Sequence, residues 1–144
     1  MKIAFLDDHP QLAEAIAEMI RQSLPDATVD CFTRWADLEP ELVAAQFDVL
    51  FLDMRLEDCL GVELIGPIQE SSPQTRIVVL SAFAQKDLLL KCLNLGIAGY
   101  IAKTSPIELI LQAIQTVITG GTFFDENLRL GSEPSNSVET PEVP

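Results

Sequence analysis

Short apolar runs alternate with longer segments of helical periodicity along most of this chain. The alternation is typical of βα units around a parallel sheet, because a crossover, usually a helix, has to join successive parallel strands. The apolar runs predict five strands, at residues 2–6, 28–32, 47–52, 76–80 and 99–102. All are short and mainly apolar, as expected of strands that are covered on both faces. We therefore expect an α/β fold with one buried parallel sheet.

A segment of helical periodicity follows each predicted strand, at residues 10–24, 35–45, 62–70, 86–95 and 107–119. Pro10 suits the first position of the first helix, because no intrahelical N–H donor is needed there. Pro40 predicts an irregular start or a bend in the second helix. Ser105, with Glu108 three residues later, is expected to cap the fifth helix. The sequence thus predicts five helices.

The charge balance is strongly acidic, with 9 basic and 22 acidic residues and a formal net charge of −13. Such a chain repels the phosphate backbone, so we expect no direct binding of nucleic acid by these residues. A divalent cation is the better charged partner. The 3 cysteines are far apart and lack CxxC spacing, which favours reduced structural thiols over disulfides or a zinc site.

Length and composition predict one domain, residues 1–121, followed by an acidic linker or tail, residues 122–144. The tail is rich in Pro, Ser, Glu and Thr and is expected to be disordered, because it offers too few apolar residues for a core. No apolar run reaches the roughly 18 residues of a membrane span, and the N-terminus is unlike a signal peptide. We therefore expect a cytoplasmic protein without membrane association.

Polar side chains follow four of the predicted strands at the point where each strand ends. They are Asp7 and Asp8 after the first strand, Asp53 after the third, Ser81 after the fourth and Lys103 after the fifth. Ligands of open parallel sheets collect in the crevice at the carboxyl ends of the strands. Three carboxylates, a hydroxyl and an ammonium group are therefore predicted to meet at one edge of the sheet.

Neighbouring carboxylates repel one another unless a cation neutralises them. A ligand set made only of oxygen atoms favours Mg²⁺ over softer metals. A carboxylate beside Mg²⁺ can attack phosphorus as a nucleophile, with the metal and a lysine stabilising charge on the transferring oxygens. Asp53 has the neighbours for that role, which predicts phosphoryl chemistry at this edge.

The segments FLDDH, FLDMRLEDCLG, VVLSA and GYIAK occur in this order, each at a predicted strand end. Together they resemble the receiver domain of two-component response regulators, the CheY-like family, over residues 1 to about 121. The resemblance implies a doubly wound, flavodoxin-like sheet of five strands in the order 2-1-3-4-5. It also implies a phosphorylation switch more than an enzyme, although one that helps to catalyse its own phosphorylation and dephosphorylation.

The same resemblance implies roles for the matched residues at the sheet edge. Asp53 would be the phosphoacceptor. Asp7 and Asp8 would bind Mg²⁺, together with Asp53 and the backbone carbonyl of Arg55. Lys103 would contact the phosphoryl oxygens.

Three further roles are implied by the resemblance. Ser81 would move its hydroxyl toward the phosphoryl group, and Tyr100 would turn inward into the vacated space. Arg55 and Phe83 adjoin the site and would modulate the rate of phosphoryl hydrolysis. We expect the bulky Phe83 to slow that hydrolysis.

The implied partner is a histidine kinase or phosphotransfer protein that donates its phosphoryl group. His9, the single histidine, is expected to be a loop or capping residue rather than a phosphocarrier. The segments DDHPQLAEAI and LNLGIAGYIAKTSPIELILQAIQTVITGGTFF are most similar to receivers that precede a LuxR-type helix-turn-helix. We therefore expect control of transcription through a C-terminal DNA-binding domain outside these residues. A homodimer through the first or fifth helix is a further expectation, although core packing explains much of their apolar pattern.

Alternatives remain at this point. The chain is a stand-alone receiver, or a pseudo-receiver that binds its partner without phosphorylation, although the intact polar set argues against the latter. A haloacid-dehalogenase-type phosphatase would need a second aspartate where the chain has Arg55. Two positions depart from the family, since Glu57 and Thr104 stand where proline is common. The second departure leaves the geometry of the peptide bond after Lys103 open.

Overall fold

A computed structural model describes residues 1–56, 59–82 and 86–125. Its strands are β1 Lys2–Leu6, β2 Thr28–Phe32, β3 Val49–Asp53, β4 Arg76–Ser81, β5 Gly99–Ala102 and β6 Phe123–Phe124. Its helices are α1 Pro10–Ser23, α2 Trp35–Ala45, α3 Ile65–Ser71, α4 Lys86–Asn94 and α5 Ile107–Ile118. None of these helices is long and apolar enough to span a membrane.

The strands form one parallel sheet in the order β2-β1-β3-β4-β5-β6. The predicted order of the first five strands is confirmed, whereas the predicted number of five strands is wrong. Gly120, with a φ of 95°, turns the chain back after α5. The Phe123 N–H then donates to the Ala98 carbonyl at 2.9 Å, so the following residues extend the sheet. β6 lies inside the segment that was predicted as linker, and residues 126–144 of that segment lie outside the described residues.

Helices cover both faces of the sheet, which explains why its central strands β1, β3, β4 and β5 are mainly apolar, whereas the edge strand β2 exposes Thr28 and Asp30. α1 and α5 cover one face, where the rings of Phe5 and Phe51 stack with centroids 4.8 Å apart. α2, α3 and α4 cover the other face, where Leu6, Leu50 and Leu52 are fully buried. Because successive strand residues point to opposite faces, each central strand contributes to both cores.

The structure differs from the sequence predictions at the starts of α5 and α3. Pro106, not Ser105, occupies the position before α5, and no side chain caps that helix. The Ser105 hydroxyl donates instead to the Asp125 carboxylate at 2.9 Å, so the predicted cap is wrong. The third helix begins later than predicted, because a 3-10 turn, Gly61–Leu64, precedes it.

Candidate functional site

The carboxyl edge of the sheet brings the predicted polar residues together. Leu6 pairs with Leu52. Asp7, one residue beyond the end of β1, therefore lies beside Asp53, the last residue of β3. Ser81 pairs with Ala102, which places Lys103 one residue beyond the end of β5. The edge encloses a cavity of about 100 Å³ lined by His9, Asp53, Met54, Arg55, Ser81, Ala82, Leu88 and Lys103.

Asp53 and Lys103 form an ion pair inside this edge. The Lys103 Nζ lies 3.0 Å from Asp53 Oδ2 and 3.1 Å from Asp7 Oδ2, so one ammonium group serves two carboxylates. Burial raises the pKa of Asp53 to about 6, although the hydrogen bond from Lys103 opposes that shift. Burial alone would lower the pKa of Lys103, but its bond to Asp53 and the charge of Asp7 raise it overall. Near neutral pH the site therefore holds an ionised Asp53 beside a charged lysine.

The donor set at this edge fits a hard divalent cation. Asp7 and Asp53 are only 2% and 3% exposed, so their charges are poorly screened by solvent. Asp8 Oδ1 is buried and accepts no hydrogen bond from the described residues. Unpaired carboxylate oxygens in a cluster with excess negative charge are suited to Mg²⁺ or Ca²⁺. Asp7, Asp8 and Asp53 would hold such an ion, which would neutralise the cluster and polarise a phosphoryl oxygen.

The loop after β3 positions Asp53 through close backbone contacts. The Arg55 N–H donates to Asp53 Oδ1 at 3.3 Å, and the Gly61 N–H donates to the Met54 carbonyl at 2.7 Å. A Cβ atom on Gly61 would collide with the carbonyl oxygen of Asp53. Gly61 therefore permits the loop to return against the backbone of Asp53, and a larger residue would displace one of them.

Ser81 and Tyr100 are neighbours on one face of the sheet. Ser81 is 4% exposed, and Tyr100 is fully buried with its ring in the core under α4. Burial raises the pKa of the Tyr100 phenol, and its contact with the Ser81 hydroxyl opposes that shift. Because the two residues lie on the same face of adjacent strands, a change in the position of Ser81 would alter the packing around Tyr100.

His9 is the site residue that the sequence analysis missed. It was predicted as a loop or capping residue, and it occupies the N-cap position of α1, but its side chain makes no capping hydrogen bond. Its Nδ1 lies 3.2 Å from Asp7 Oδ1, 3.0 Å from Asp8 Oδ1 and 3.8 Å from Asp53 Oδ2. The sequence signal that could have identified His9 as a site residue is its position directly after Asp7 and Asp8, on a loop at the ligand-binding edge.

Of the predicted residues around the site, Arg55 lies within the described part of the chain. The Arg55 side chain is exposed at the mouth of the cavity. Phe83 and Glu57 lie outside the described residues. The peptide bond after Lys103 is trans, since the described residues contain no cis peptide bond.

A family model described as the response regulator receiver domain matches residues 3–115. The chain belongs to this family. The receiver is 30% identical over 146 aligned positions to the oxygen regulatory protein NreC of Staphylococcus epidermidis strain ATCC 12228 / FDA PCI 1200. That alignment covers 99% of this chain and 67% of NreC, so the receiver spans about two thirds of that relative.

Solved structures agree with this assignment. The isolated receiver domain of RcsB from Salmonella enterica serovar Typhimurium, in the presence of the phosphomimetic BeF₃⁻, has a TM-score of 0.78 at 25% identity. The match covers 88% of this chain and 94% of that one. A response regulator of Burkholderia pseudomallei with a phosphorylated aspartic acid, a calcium ion and citrate has a TM-score of 0.73 at 24% identity, over 82% and 68% of the two chains. The predicted family and fold are confirmed, and the chain is a two-component signalling switch.

Proposed function

We propose that Asp53 accepts a phosphoryl group from a phosphohistidine of a partner kinase or phosphotransfer protein. The observation that carries this proposal is the position of the Asp53 carboxylate, which lies at the end of a buried strand with Lys103 Nζ 3.0 Å away. Asp7 and Asp8 supply the further oxygen atoms that a Mg²⁺ ion needs. Asp7 is also buried and shares this lysine, at 3.1 Å, but of the two carboxylates only Asp53 lines the cavity at the carboxyl edge.

The proposed reaction transfers the phosphoryl group from nitrogen to oxygen. An oxygen of ionised Asp53 attacks phosphorus, the P–N bond of the phosphohistidine breaks, and an acyl phosphate forms. Lys103 exchanges its contact with the carboxylate for contacts with phosphoryl oxygens, where its charge stabilises the developing negative charge. Water later attacks the phosphorus and releases inorganic phosphate, which regenerates Asp53.

Phosphorylation is proposed to change the surface formed by α4, β5 and α5. The phosphoryl group adds negative charge and acceptor oxygens, which the Ser81 hydroxyl approaches. Tyr100 belongs to the same packed unit, so its position responds to that of Ser81. The equilibrium shifts only because these contacts differ between the two states.

Two residues are proposed to set the lifetime of the phosphorylated state. Arg55 lines the mouth of the cavity, where its side chain would influence the approach of water. Phe83 is expected to slow hydrolysis through its bulk. Replacing Phe83 with alanine should therefore accelerate loss of the phosphoryl group, and an unchanged or slower rate would contradict this role.

The output is proposed to be transcription, through a C-terminal DNA-binding domain joined by an acidic linker. A net charge of −13 opposes contact between this chain and DNA, so a separate domain would have to supply that contact. Residues 1–121 and 122–144 are the proposed limits of receiver and linker, although β6, Phe123–Phe124, in the second segment extends the sheet of the receiver. A homodimer of the receiver is proposed to assist the output.

Intact mass after incubation with Mg²⁺ and acetyl phosphate tests the acceptor. One added phosphoryl group is expected, and it should be lost in Asp53→Ala and after chelation of the metal. Asp26→Asn is a matched control, because Asp26 is exposed and remote from the carboxyl edge. If folded, Mg²⁺-binding protein gains no mass, the chain is instead a partner-binding module that works without phosphorylation.

A further inference from the structure

The His9 imidazole is placed differently from a residue that merely caps a helix. Its backbone N–H donates to Asp7 Oδ1 at 2.8 Å, which fixes the loop between β1 and α1. The ring faces the acidic cluster, where Nδ1 lies within 3.8 Å of three different carboxylates. The side chain is 65% exposed, so most of the ring is in contact with solvent.

The short distance between His9 Nδ1 and Asp8 Oδ1 is typical of two ligand atoms that bind the same cation. Nδ1 and Asp8 Oδ1 are 3.0 Å apart, yet this carboxylate oxygen accepts no hydrogen bond from the described residues. Adjacent ligand atoms on an octahedral ion stand about 3 Å apart when each bond is about 2.1 Å. One ligand atom from each of Asp7, Asp8, His9 and Asp53 lies within 4.8 Å of the other three, so side-chain shifts of less than about 1 Å would bring all four onto a single ion.

We propose that His9 contributes Nδ1 as a nitrogen ligand to the cation site of this receiver. The inference rests on the proposed metal site and extends it to the identity of the metal. Imidazole nitrogen binds first-row transition ions much better than it binds Mg²⁺, whose preferred ligands are carboxylate, carbonyl and water oxygens. The site therefore selects Mn²⁺ or Co²⁺ over Mg²⁺ more strongly than three carboxylates alone would.

The proton distribution on the ring is compatible with this role. A neutral histidine carries its proton on one nitrogen and a lone pair on the other. In the metal-bound state a proton on Nε2 would leave the Nδ1 lone pair free to bind the ion. Lys103 Nζ lies 3.5 Å from Nδ1, so the two basic side chains reach the cluster from the loops after β1 and β5.

Pulsed electron paramagnetic resonance of bound Mn²⁺ tests the ligand directly. Because the chain holds a single histidine, strong ¹⁴N modulation from a coordinated imidazole has only one source when no affinity tag is present. We expect this modulation in the wild-type protein and its loss in His9→Gln. Protein labelled with ¹⁵N-histidine should lose the ¹⁴N pattern as well, which provides the assignment without any substitution.

Calorimetric titrations of Mn²⁺ and Mg²⁺ test the selectivity. Groups that only orient a metal ligand typically contribute about ten- to a hundredfold in affinity. We therefore expect His9→Gln to weaken Mn²⁺ binding at least about tenfold while Mg²⁺ binding changes much less. Circular dichroism checks that the variant is folded, and the ¹⁵N-histidine experiment still decides the question if it is not.

The possible results separate this inference from the proposed function. Mn²⁺ that binds without imidazole modulation overturns the role of His9 and leaves the carboxylate site intact. Equal or tighter binding of both ions by His9→Gln also overturns it, because the ring would then compete with the cation. If the wild-type protein binds neither ion, the metal site itself is wrong, and the proposed function fails with it.

Discussion

Asp53 carries a negative charge in surroundings that disfavour it. The side chain is almost fully buried, Asp7 lies beside it, and one lysine is shared between the two carboxylates. A buried charge without full compensation lowers the stability of the folded state. The same imbalance makes the site receptive to a cation and keeps the carboxylate available for reaction, so stability and reactivity oppose each other at this residue.

We predict that Asp53→Asn stabilises the metal-free receiver at neutral pH. The pKa of Asp53 is about 6 in the folded protein and 3.8 as its ordinary value. The ionised form is therefore disfavoured on folding, by about 3 kcal/mol well above pH 6. Urea unfolding in a chelator should show Asp53→Asn to be more stable than wild type.

The pH dependence supplies the control for that prediction. Because the pKa of Asp53 is raised in the folded state, this residue favours folding most strongly below pH 3.8. Its favourable contribution to the free energy of unfolding is lost as the pH rises through about 6. The advantage of Asp53→Asn should therefore shrink as the pH falls from 7 toward 4. It should also shrink when Mg²⁺ is added, since a ligand stabilises the state that binds it. An advantage that is independent of pH and metal would contradict the electrostatic explanation.

Gly61 and Gly66 form a matched pair for a second prediction. Gly61→Ala places a methyl group against the Asp53 carbonyl, and we expect a loss of about 1–3 kcal/mol together with slower phosphorylation. Gly66 lies in α3 with open space around its Cβ position, and Gly66→Ala should be neutral or stabilising by up to about 1 kcal/mol. Unfolding curves and acetyl phosphate labelling of both variants measure the difference. Similar effects at the two positions would argue against Gly61 as the residue that positions Asp53.

β6 connects the end of the described chain to the strand that carries Tyr100. The Asp125 N–H donates to the Tyr100 carbonyl at 3.1 Å, and the Asp125 carboxylate accepts from Ser105, two residues after Lys103. The segment after α5 is therefore attached at two points to the elements of the site. A movement of β5 or of the loop after it would be transmitted to β6.

We predict that Ser105→Ala loosens β6 and leaves α5 unchanged. The substitution removes one partly buried hydrogen bond, which costs about 1 kcal/mol. Amide hydrogen exchange should become faster at Phe123 and Asp125, whose N–H groups bond to Ala98 and Tyr100. A cap of α5 would give the opposite pattern, with faster exchange in the first turn of that helix. That pattern would restore the role predicted from the sequence.

The elements were predictable where a strong periodic pattern coincided with a known geometric role. β1, β2 and β5 match their predicted limits because their apolar runs end in polar or turn residues. β6 was missed because two phenylalanines after a glycine pair are too short for a periodic pattern. The cap of α5 was misassigned because Ser105 has two local choices, and tertiary contact with Asp125 decides between them.

The candidate site was predictable to a similar degree. The parallel sheet and the strand ends place Asp7, Asp53 and Lys103 together, since strand register converts positions in sequence into neighbours in space. Side-chain direction is not contained in that argument. The ring of His9 and the close approach of Gly61 depend on loop conformation, which periodicity does not specify.

On the surface of the whole molecule, α1 has apolar side chains that do not pack into the core. Ala13, Ile16, Ala17 and Ile20 are buried against the sheet and α5, as the predicted core packing requires. Leu12 and Met19, seven residues apart on one side of the helix, remain 40% and 41% exposed. This strip is the part of α1 that is available for a second receiver.

We predict that Met19→Glu weakens a receiver homodimer, because it places a charge in an apolar contact. Val43→Glu is the matched control, since Val43 is 64% exposed on α2, which covers the opposite face of the sheet. Sedimentation velocity with and without BeF₃⁻ should show loss of the activated dimer in Met19→Glu only. An effect of Val43→Glu alone would place the contact on α2, and a monomeric wild type under all conditions would exclude the dimer.

The direction of β6 fixes where a following segment is tethered. β6 runs parallel to β5, so the chain reaches Asp125 at the rim that holds Asp53 rather than at the opposite end of the sheet. Any domain attached through this chain is anchored beside the signalling rim. We therefore expect a domain on that tether to start from the same edge of the sheet that a proposed partner kinase would approach.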